Sequence, residues 1–520
     1  MSPAILLTII LIYFSVLLGI AFYTSRNSSN ESFFIGNRNS KWWLVAFGMI
    51  GTSLSGMTFI SVPGTVGMKG FDYFQVVIGY FLGYFAVAFI LLPLYYRLKL
   101  TSIYTYLEGR LGGTAYKTGA LFFILSRTLG ATLRLYLVIK VLEKFVLEAI
   151  GIPFEATAII ILGLILLYTY RGGVKTIVWT DTLQTTFMLL ALIICVAYIL
   201  SSMNMSFMEG WHKLGDHGFT KMLETDPNSG GFFLKQLLGG AFITIAMTGL
   251  DQEMMQKNIS VSNVKDSKKN MLTLSFLQMC VVFIFLMLGG LLYVFAMSKG
   301  GSFQHVMVNG KDTTQFILDG KNIIGDDIFP VLAFHYMPPF ISVIFVIGLI
   351  SALFPSADGA LTALTSSFCI DILGIHRRKG TAETEVMGVQ RQGMTEQQQK
   401  RTRMFVHYTF SVVFLICVFI FRYMDNGSLI QTLLVVAGYT YGPLLALFVF
   451  GIFTTRNVRK EFVPIICIAA PVMCYILKQN EADWLGKYHI GTELLIINAA
   501  LTLLLLLIAS NKGHKQAELS

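Results

Sequence analysis

The chain has 520 residues, of which 55% are hydrophobic and only 13% are charged. Soluble globular domains carry about 25% charged residues, so this composition excludes an ordinary soluble enzyme and favours a protein that buries most of its surface in lipid. The formal net charge is +10, but the basic residues lie in short loops between apolar segments. Nucleic acid is therefore not expected as a partner, because no solvated basic domain is available to bind it.

Apolar runs of about 20 residues, the length that crosses a bilayer as a helix, occur thirteen times along the chain. They lie at residues 3–23, 42–67, 71–96, 118–149, 154–170, 177–202, 235–256, 271–298, 335–372, 404–424, 428–452, 461–477 and 491–510. The sequence therefore predicts an all-α polytopic membrane protein of about 13 transmembrane helices, with the lipid bilayer as a partner. No soluble stretch of more than about 50 residues interrupts the runs, which predicts a single membrane domain over residues 1–520.

The distribution of Lys and Arg predicts the orientation. With the N-terminus outside, most of the 39 basic residues fall in loops that would face the cytoplasm, as the positive-inside rule requires. We therefore expect a multi-pass protein of the cell (inner) membrane with its N-terminus outside and its C-terminus in the cytoplasm. The polar stretch at residues 376–403 would be a cytoplasmic linker.

The second apolar segment contains a cluster of small and polar residues, among them Gly51, Ser53, Ser55 and Thr58. Unwound backbone inside hydrocarbon survives only where it is buried in protein or lines a polar cavity, because lipid cannot hydrogen-bond the free backbone groups. The sequence therefore predicts a broken helix whose break holds an ion or a solute.

The ninth apolar segment carries a second group of oxygen-bearing residues, including Ser351, Ser356 and Asp358. Pro355 lies among them, removes one backbone donor and frees a carbonyl group in the preceding turn. Oxygen ligands without nitrogen or sulfur suit a hard alkali cation, although any single Ser or Thr could simply bond back to its own helix. Ionisable residues at membrane depth also indicate function. They are Arg127, Arg134, Asp181, Asp251 and Asp358.

Four motifs resemble the sodium/solute symporter family in their order, their spacing and their position on membrane helices. They are residues 97–110 (RLKLTSIYTYLEGR), residues 170–181 (YRGGVKTIVWTD), Asp251-Gln252 with Gln256-Lys257, and residues 438–443 (GYTYGP). The resemblance extends along nearly the whole chain. It implies a LeuT-like core of five-plus-five helices in inverted repeats, in which the first helix of each repeat is broken and the solute lies at the midplane.

The resemblance also implies a division of the chain. An extra N-terminal helix and loop would occupy residues 1–41, the first repeat residues 42–202 and the second repeat residues 235–452. Two C-terminal helices and a tail would follow at residues 453–520. Glycines in the first helix of each predicted repeat fit a pair of broken helices at corresponding positions.

A sodium ion is the coupling ion that the resemblance implies, and no organic cofactor is expected. Carried over by position, its ligands would be the carbonyl groups of Gly51, Leu54 and Ala352 and the hydroxyl of Ser356. The family has two adjacent hydroxyls here, but this chain has Pro355 in place of the first. The departure puts the sodium affinity of the site in question.

A second sodium is bound in some members by an aspartate that corresponds to Asp181, together with two further hydroxyls. In this chain those two positions are Asp358 and Gly359. The two aspartates could hold one cation, or they could share a proton, because neighbouring carboxylates raise each other's proton affinity. We expect sodium at this pair, with proton coupling as the alternative.

The solute is expected to bind beside the first break. Ser53, Ser55 and Thr58 would face the cavity there, and Arg134 would offer a fork that pairs a carboxylate. Members that carry sialic acid use an arginine on this core helix, so the resemblance implies a carboxylate-bearing solute, and a sugar acid such as sialic acid is the first expectation. Three further residues are expected to line the pocket. They are Gln75, Tyr80 and Phe242.

Other functions remain open at this point. An amino acid, another organic acid or a sugar could be the solute, and coupling could be to protons or poor. A membrane sensor of similar fold is the non-transporter alternative. An enzyme is not predicted, since Asp181 and Asp358 are the only conceivable catalytic pair, and no obligate protein partner is inferred.

Overall fold

The computed structural model describes residues 3–25, 38–308, 311–323, 325–375, 395–424 and 429–511. Helices dominate these residues, as the composition predicts. Most of the predicted cytoplasmic linker, part of the loop before residue 38 and the residues after 511 lie outside the described residues.

Helices α1 to α11 occupy the first part of the chain. They are α1 (Pro3–Ser25), α2 (Trp42–Ser53), α3 (Gly56–Lys69), α4 (Tyr73–Arg97), α5 (Thr105–Leu111), α6 (Gly113–Leu147), α7 (Phe154–Ser202), α8 (Phe207–Asp216), α9 (Phe233–Gly249), α10 (Gln252–Ile259) and α11 (Val264–Ser298). The second part contains further helices. They are α12 (Ile328–Val331), α13 (Pro339–Ile372), α14 (Glu396–Met424), α15 (Leu429–Phe453), α16 (Phe462–Gln479), α17 (Glu481–Leu485) and α18 (Leu494–Ile508).

Within the described residues, nine helices are long and apolar enough to cross a membrane, or eleven if each of two bent pairs counts as one span. Two more predicted segments correspond to shorter apolar helices, Phe154–Thr169 and Leu494–Ile508. The polytopic all-α prediction is therefore confirmed. The described residues do not establish the count of 13.

The two bent pairs begin the two predicted repeats. Helices α2 and α3 meet at an angle of 57°, and helices α9 and α10 meet at 64°. Gly51 and Gly56 flank the first break, and Gly249 directly precedes the second. A broken helix at the start of each half is the arrangement that an inverted-repeat transporter requires, while the repeat boundaries themselves stay a prediction.

Helix α7 covers two predicted segments, although the sequence predicts a loop between them. Its backbone is helical throughout its 49 residues, and a straight helix of that length would measure about 74 Å, more than twice the hydrocarbon thickness. In its second part, Thr185 lies close to Pro355, since both are neighbours of Gly51. In its first part, Tyr168 packs against Phe354, with ring centroids 6.2 Å apart. Both predicted segments of α7 therefore contact neighbouring residues of the same helix, α13.

Helices α4 and α9 approach so closely that only glycine fits at their contact. A Cβ atom on Gly79 would lie 2.2 Å from the carbonyl oxygen of Leu237, and one on Gly240 would lie 2.2 Å from that of Val76. Small residues permit such contact in membranes, where van der Waals packing drives helix association. The contact fixes α4 against the second broken helix.

A small antiparallel sheet follows α11. It lies between two predicted apolar runs, at residues 271–298 and 335–372, where no sheet was predicted. Strand β1 (Ser302–Val308) pairs with β2 (Lys311–Leu318), which pairs with β3 (Lys321–Asn322). Phe303 and Phe316 are partners in the ladder and pack against Tyr293 of α11. Strands β4 (Asn457–Val458) and β5 (Ser510–Asn511) form a second, minimal pair.

Candidate functional site

The first break leaves backbone groups without partners. Leu54 departs from helical geometry, with φ −93° and ψ 85°, and no side chain caps the start of α3 at Ser55. The last carbonyl groups of a helix have no partner inside the helix, and no described side chain donates a hydrogen bond to the carbonyl groups of Gly51 or Leu54. These oxygens are available to a ligand.

Helix α13 lies directly against this break. A Cβ atom on Gly51 would lie 3.4 Å from Cγ of Pro355, and one on Gly56 would lie 3.7 Å from Cα of Leu353. The hydroxyl of Ser356 donates to the carbonyl oxygen of Leu353 at 2.8 Å, which leaves its oxygen able to accept or to coordinate.

The structure thus brings the predicted ligands of the first sodium onto two touching segments, the end of α2 and the middle of α13. Ala352 is fully buried there. Thr185 of α7, which the sequence analysis misses, adds to the site because its Oγ1 accepts a hydrogen bond from the backbone N–H of Gly51 at 3.1 Å. Sodium binding by these groups stays a prediction.

A cavity of roughly 800 Å³, counting its opening, lies on the other side of the first break. Five of the seven residues predicted to bind the solute line it. They are Ser53, Ser55, Thr58, Tyr80 and Arg134. The role of each in solute binding stays a prediction.

The cavity is also lined by polar side chains that were not predicted from the sequence. The hydroxyl of Tyr84 donates to Oε1 of Gln278 at 2.6 Å, and the hydroxyls of Tyr73 and Tyr80 are 3.3 Å apart. Tyr73, Tyr80 and Tyr84 follow one another at helical spacing on α4, so they share a face. This spacing is the signal in the sequence that could have identified them.

Gln75 and Phe242 are predicted to line the pocket, but neither does. The side-chain amide of Gln75 donates to the carboxylate of Asp72 and, at 3.2 Å, to its carbonyl oxygen. Phe242 is half-buried beside Ile243, which does line the cavity. One residue along a helix turns the side chain by about 100°, so a small error of register is enough to misplace it.

Arg134 lines the cavity without an ionic partner. Its side chain is only 7% exposed, and Nε and Nη1 have no hydrogen-bond partner. No ion pair to Arg134 occurs among the described residues. A negative partner would stabilise this buried guanidinium, because leaving a buried charge without its partner costs about 3–5 kcal/mol.

Arg127, on the same helix, has partners of its own. Its guanidinium pairs with Glu253 and lies 3.8 Å from Asp251. Both oxygens of the Asp251 carboxylate accept hydrogen bonds: Oδ1 from the backbone N–H of Glu253 at 2.9 Å, and Oδ2 from the hydroxyl of Tyr441 at 2.9 Å. Arg127 and Asp251 therefore hold the second break together, and Asp251 caps α10.

Lys257 is central to the site, although the sequence did not predict a role for it there. Its ammonium group lies 2.7 Å from Oδ2 of Asp181, 2.6 Å from Oγ1 of Thr52 and 3.4 Å from Oε1 of Glu253. All four side chains are buried. Lys257 belongs to one of the motifs that carry the family resemblance, and its acidic surroundings become visible only in three dimensions.

The two aspartates predicted to share a cation have separate partners. Asp181 pairs with Lys257, whereas Oδ2 of Asp358 accepts a hydrogen bond from the hydroxyl of Tyr168 at 2.9 Å. Within the described part of the chain, no hydrogen bond joins the two carboxyl groups. The geometry does not favour a proton shared directly between them.

A sequence profile of the sodium:solute symporter family matches residues 33–460. The chain belongs to the sodium:solute symporter family. The resemblance drawn from the motifs is thereby confirmed, and the family is one of transporters rather than enzymes. Its members are membrane proteins, in agreement with the apolar spans.

Several relatives of this symporter share most of their length with it. The sodium/sialic acid symporter NanT of Aliivibrio fischeri is 22% identical over 488 residues, which cover 92% of this chain and 89% of NanT. The sodium/sialic acid symporter SiaT of Proteus mirabilis is 22% identical and covers 86% and 84% of the two chains. The sodium/glucose cotransporter 1 of Mus musculus is 21% identical and covers 86% and 68%.

Solved structures share the fold of this symporter. The substrate-bound outward-open structure of a Na⁺-coupled sialic acid symporter superposes with a TM-score of 0.77 at 19% identity and covers 97% of both chains. MHP1, a transporter of the nucleobase-cation-symport-1 family, superposes with a TM-score of 0.50 at 12% identity over 93% of this chain and 94% of its own. The predicted LeuT-like fold is confirmed.

Proposed function

We propose that this symporter imports a small carboxylate-bearing solute, a sugar acid such as sialic acid, together with sodium. The observation that carries the proposal is Arg134, a buried guanidinium without an ionic partner on the wall of the cavity. A carboxylate would supply the missing charge and could accept two parallel hydrogen bonds from the planar fork.

The rest of the cavity suits a polyhydroxylated solute. Ser53 and Ser55 border it at the break, and Thr58 lies one turn further along α3. Oγ of Ser53 is buried without a hydrogen-bond partner, so a solute hydroxyl would satisfy it. The first N–H groups of α3 also favour a negative group at this end of the cavity.

The coupling sodium would bind between the first break and α13, on the carbonyl groups of Gly51, Leu54 and Ala352 and the hydroxyl of Ser356. An ion at this position would hold α2 and α3 in the geometry that presents Ser53 and Ser55 to the solute. Ion and solute would then each raise the affinity of the other by the same factor. The relatives named as sodium/sialic acid symporters support both the ion and the class of solute.

The protein would act in the cell membrane with its N-terminus outside, as the distribution of Lys and Arg supports. Import would follow from the alternation of the two broken helices against the rest of the bundle. No organic cofactor and no protein partner enter this scheme.

The test measures the unfolding midpoint of the detergent-purified protein with sialic acid, with simple carboxylates, with amino acids and with neutral hexoses, each in sodium and in potassium. The proposal requires a shift with one class of carboxylate that is larger in sodium, since a ligand stabilises the state that binds it. An equal shift in potassium would mean that solute binding is not coupled to sodium. A shift with neutral hexoses alone would overturn the assignment of a carboxylate solute.

A further inference from the structure

The ammonium group of Lys257 has surroundings like those of a bound cation. Oxygen atoms of Asp181, Thr52 and Glu253 lie within 3.4 Å of it. The lysine side chain is 3% exposed, and Asp181 and Glu253 are exposed by 0% and 2%. The positive charge therefore sits inside the membrane domain and not at its surface.

The position of this ammonium group coincides with the place where the sequence predicts a second sodium. That site would combine Asp181 with groups at positions 358 and 359. A Cβ atom on Gly359 would lie 3.2 Å from Nζ of Lys257 and 2.2 Å from Oε1 of Glu253. No side chain, and hence no hydroxyl, fits at position 359 while the lysine and the glutamate occupy this space.

One departure from the family pattern, the glycine at position 359, thus has a structural explanation. The hydroxyl that would bind sodium is missing at Gly359 because the side chains of Lys257 and Glu253 fill its space. We infer that the ammonium group of Lys257 occupies the second cation position of this symporter and takes the place of a sodium ion there. The positive charge is then a permanent part of the protein and does not move with the solute.

Electrostatics support one cation at this position. A sodium ion that touched Asp181 on the side of Lys257 would lie within a few ångströms of the ammonium charge, and like charges at that distance in a buried site repel strongly. Oδ1 of Asp181 has no hydrogen-bond partner, so the carboxylate keeps a free oxygen. Removal of the ammonium group would leave this carboxylate and the hydroxyl of Thr52 for an incoming ion.

Thr52 connects this position to the solute cavity. Its hydroxyl accepts from Lys257, donates to Asp181 at 3.1 Å and belongs to the cavity wall. A cation held here steadies the residue next to the first break. In this symporter the lysine would do so at every stage of the transport cycle, whereas a sodium ion would have to bind and leave.

The experiment counts sodium ions bound per chain, by equilibrium binding of radioactive sodium to the purified protein without any solute. The unfolding midpoint against sodium concentration, at constant ionic strength, gives a second readout. The absence of solute separates this test from the proposed solute class. Lys257→Ala should bind one sodium ion more than the natural protein, and this difference is expected whether or not the first site binds sodium.

Two further variants make the count specific. Lys257→Ala with Asp181→Asn should lose the gained ion, because the carboxylate that would hold it is gone. Lys235→Ala is the matched control, since Lys235 is also a mostly buried lysine, 8% exposed and 3.8 Å from Glu493, and its removal should leave the count unchanged.

Asp181→Asn alone keeps the inference testable if Lys257→Ala does not fold. With the lysine as the cation, this variant should bind as many sodium ions as the natural protein. Loss of one ion in Asp181→Asn, or two ions per chain in the natural protein, would overturn the inference. A folded Lys257→Ala protein without a gained ion would do so as well.

Discussion

The two broken helices of this symporter differ in how their free backbone groups are satisfied. At the second break, the hydroxyls of Tyr95 and Tyr104 donate to the carbonyl groups of Gly249 and Leu250 at 2.8 and 2.9 Å, and Asp251 caps the helix that follows. At the first break, between α2 and α3, no described side chain provides such a cap.

The difference shows where ligands are needed. A buried polar group without a partner costs about 1–3 kcal/mol, so a ligand that satisfies the free groups at the first break would stabilise it. The second break is already satisfied by side chains of the protein. Ions and solutes should therefore act at the first break, and substitutions at the second should change stability more than binding.

The largest expected effect is on the stability of the second break. Glu253 pairs with both Arg127 and Lys257, so Glu253→Gln leaves two buried cations short of a partner. We expect a loss of about 3–5 kcal/mol in the free energy of unfolding, the usual cost of breaking a buried ion pair. Thermal and denaturant unfolding in detergent would measure it.

The control for this prediction is Glu155→Gln, which removes an exposed pair with Arg422. The two side chains of that pair are 52% and 41% exposed, and such pairs contribute about 0–1 kcal/mol. Equal stability of the two variants would mean that the charges at the second break do not hold it.

Arg134→Gln should act on binding rather than on stability. The variant removes a charge without an internal partner, so the protein without solute should be as stable as before or more stable. Affinity for a carboxylate solute should fall about 10- to 100-fold, since a hydrogen bond to a charged group contributes about 1.5–3 kcal/mol. Binding measured by titration with acidic and neutral solutes would show it. An equal loss for neutral solutes would make Arg134 a structural residue.

Tyr104→Phe tests the second break at one backbone group. The variant deletes the donor to the carbonyl group of Leu250 and leaves a buried acceptor unpaired, which should cost about 1–2 kcal/mol of stability. Half-saturation by sodium should stay unchanged. Thr185→Val is the counterpart at the first break, where the N–H of Gly51 loses its acceptor, and there the sodium response should weaken instead.

The smallest expected effect is a gain. Pro355→Ser restores the missing one of two adjacent hydroxyls beside Gly51, and one more oxygen ligand should raise sodium affinity several-fold, about 1 kcal/mol, the scale of a single polar contact. The sodium concentration at half-saturation of the unfolding midpoint would measure it. An unchanged value would mean that the natural oxygens already complete the coordination.

The sequence was sufficient for the class of the protein and for the position of the first break. The apolar runs predict the spans because hydrocarbon tolerates only helices whose backbone is internally bonded. The same rule makes a cluster such as Gly51, Ser53 and Ser55 conspicuous. The motifs gave the family and with it the fold.

Properties that depend on the exact direction of a side chain were beyond the sequence. Gln75 was predicted to face the cavity and does not, while Tyr73 and Tyr84 do, because a shift of one residue turns a helical side chain by about 100°.

The partners of the buried charges were decided by the tertiary structure alone. Arg127 and Arg134 lie on one helix, yet one is paired with Glu253 and the other faces the cavity without an ionic partner among the described residues. Lys257 pairs with Asp181, although the two residues are 76 positions apart along the chain. Sequence patterns report the local environment of a residue, whereas the energy of a buried charge is set by the groups that folding brings within a few ångströms of it.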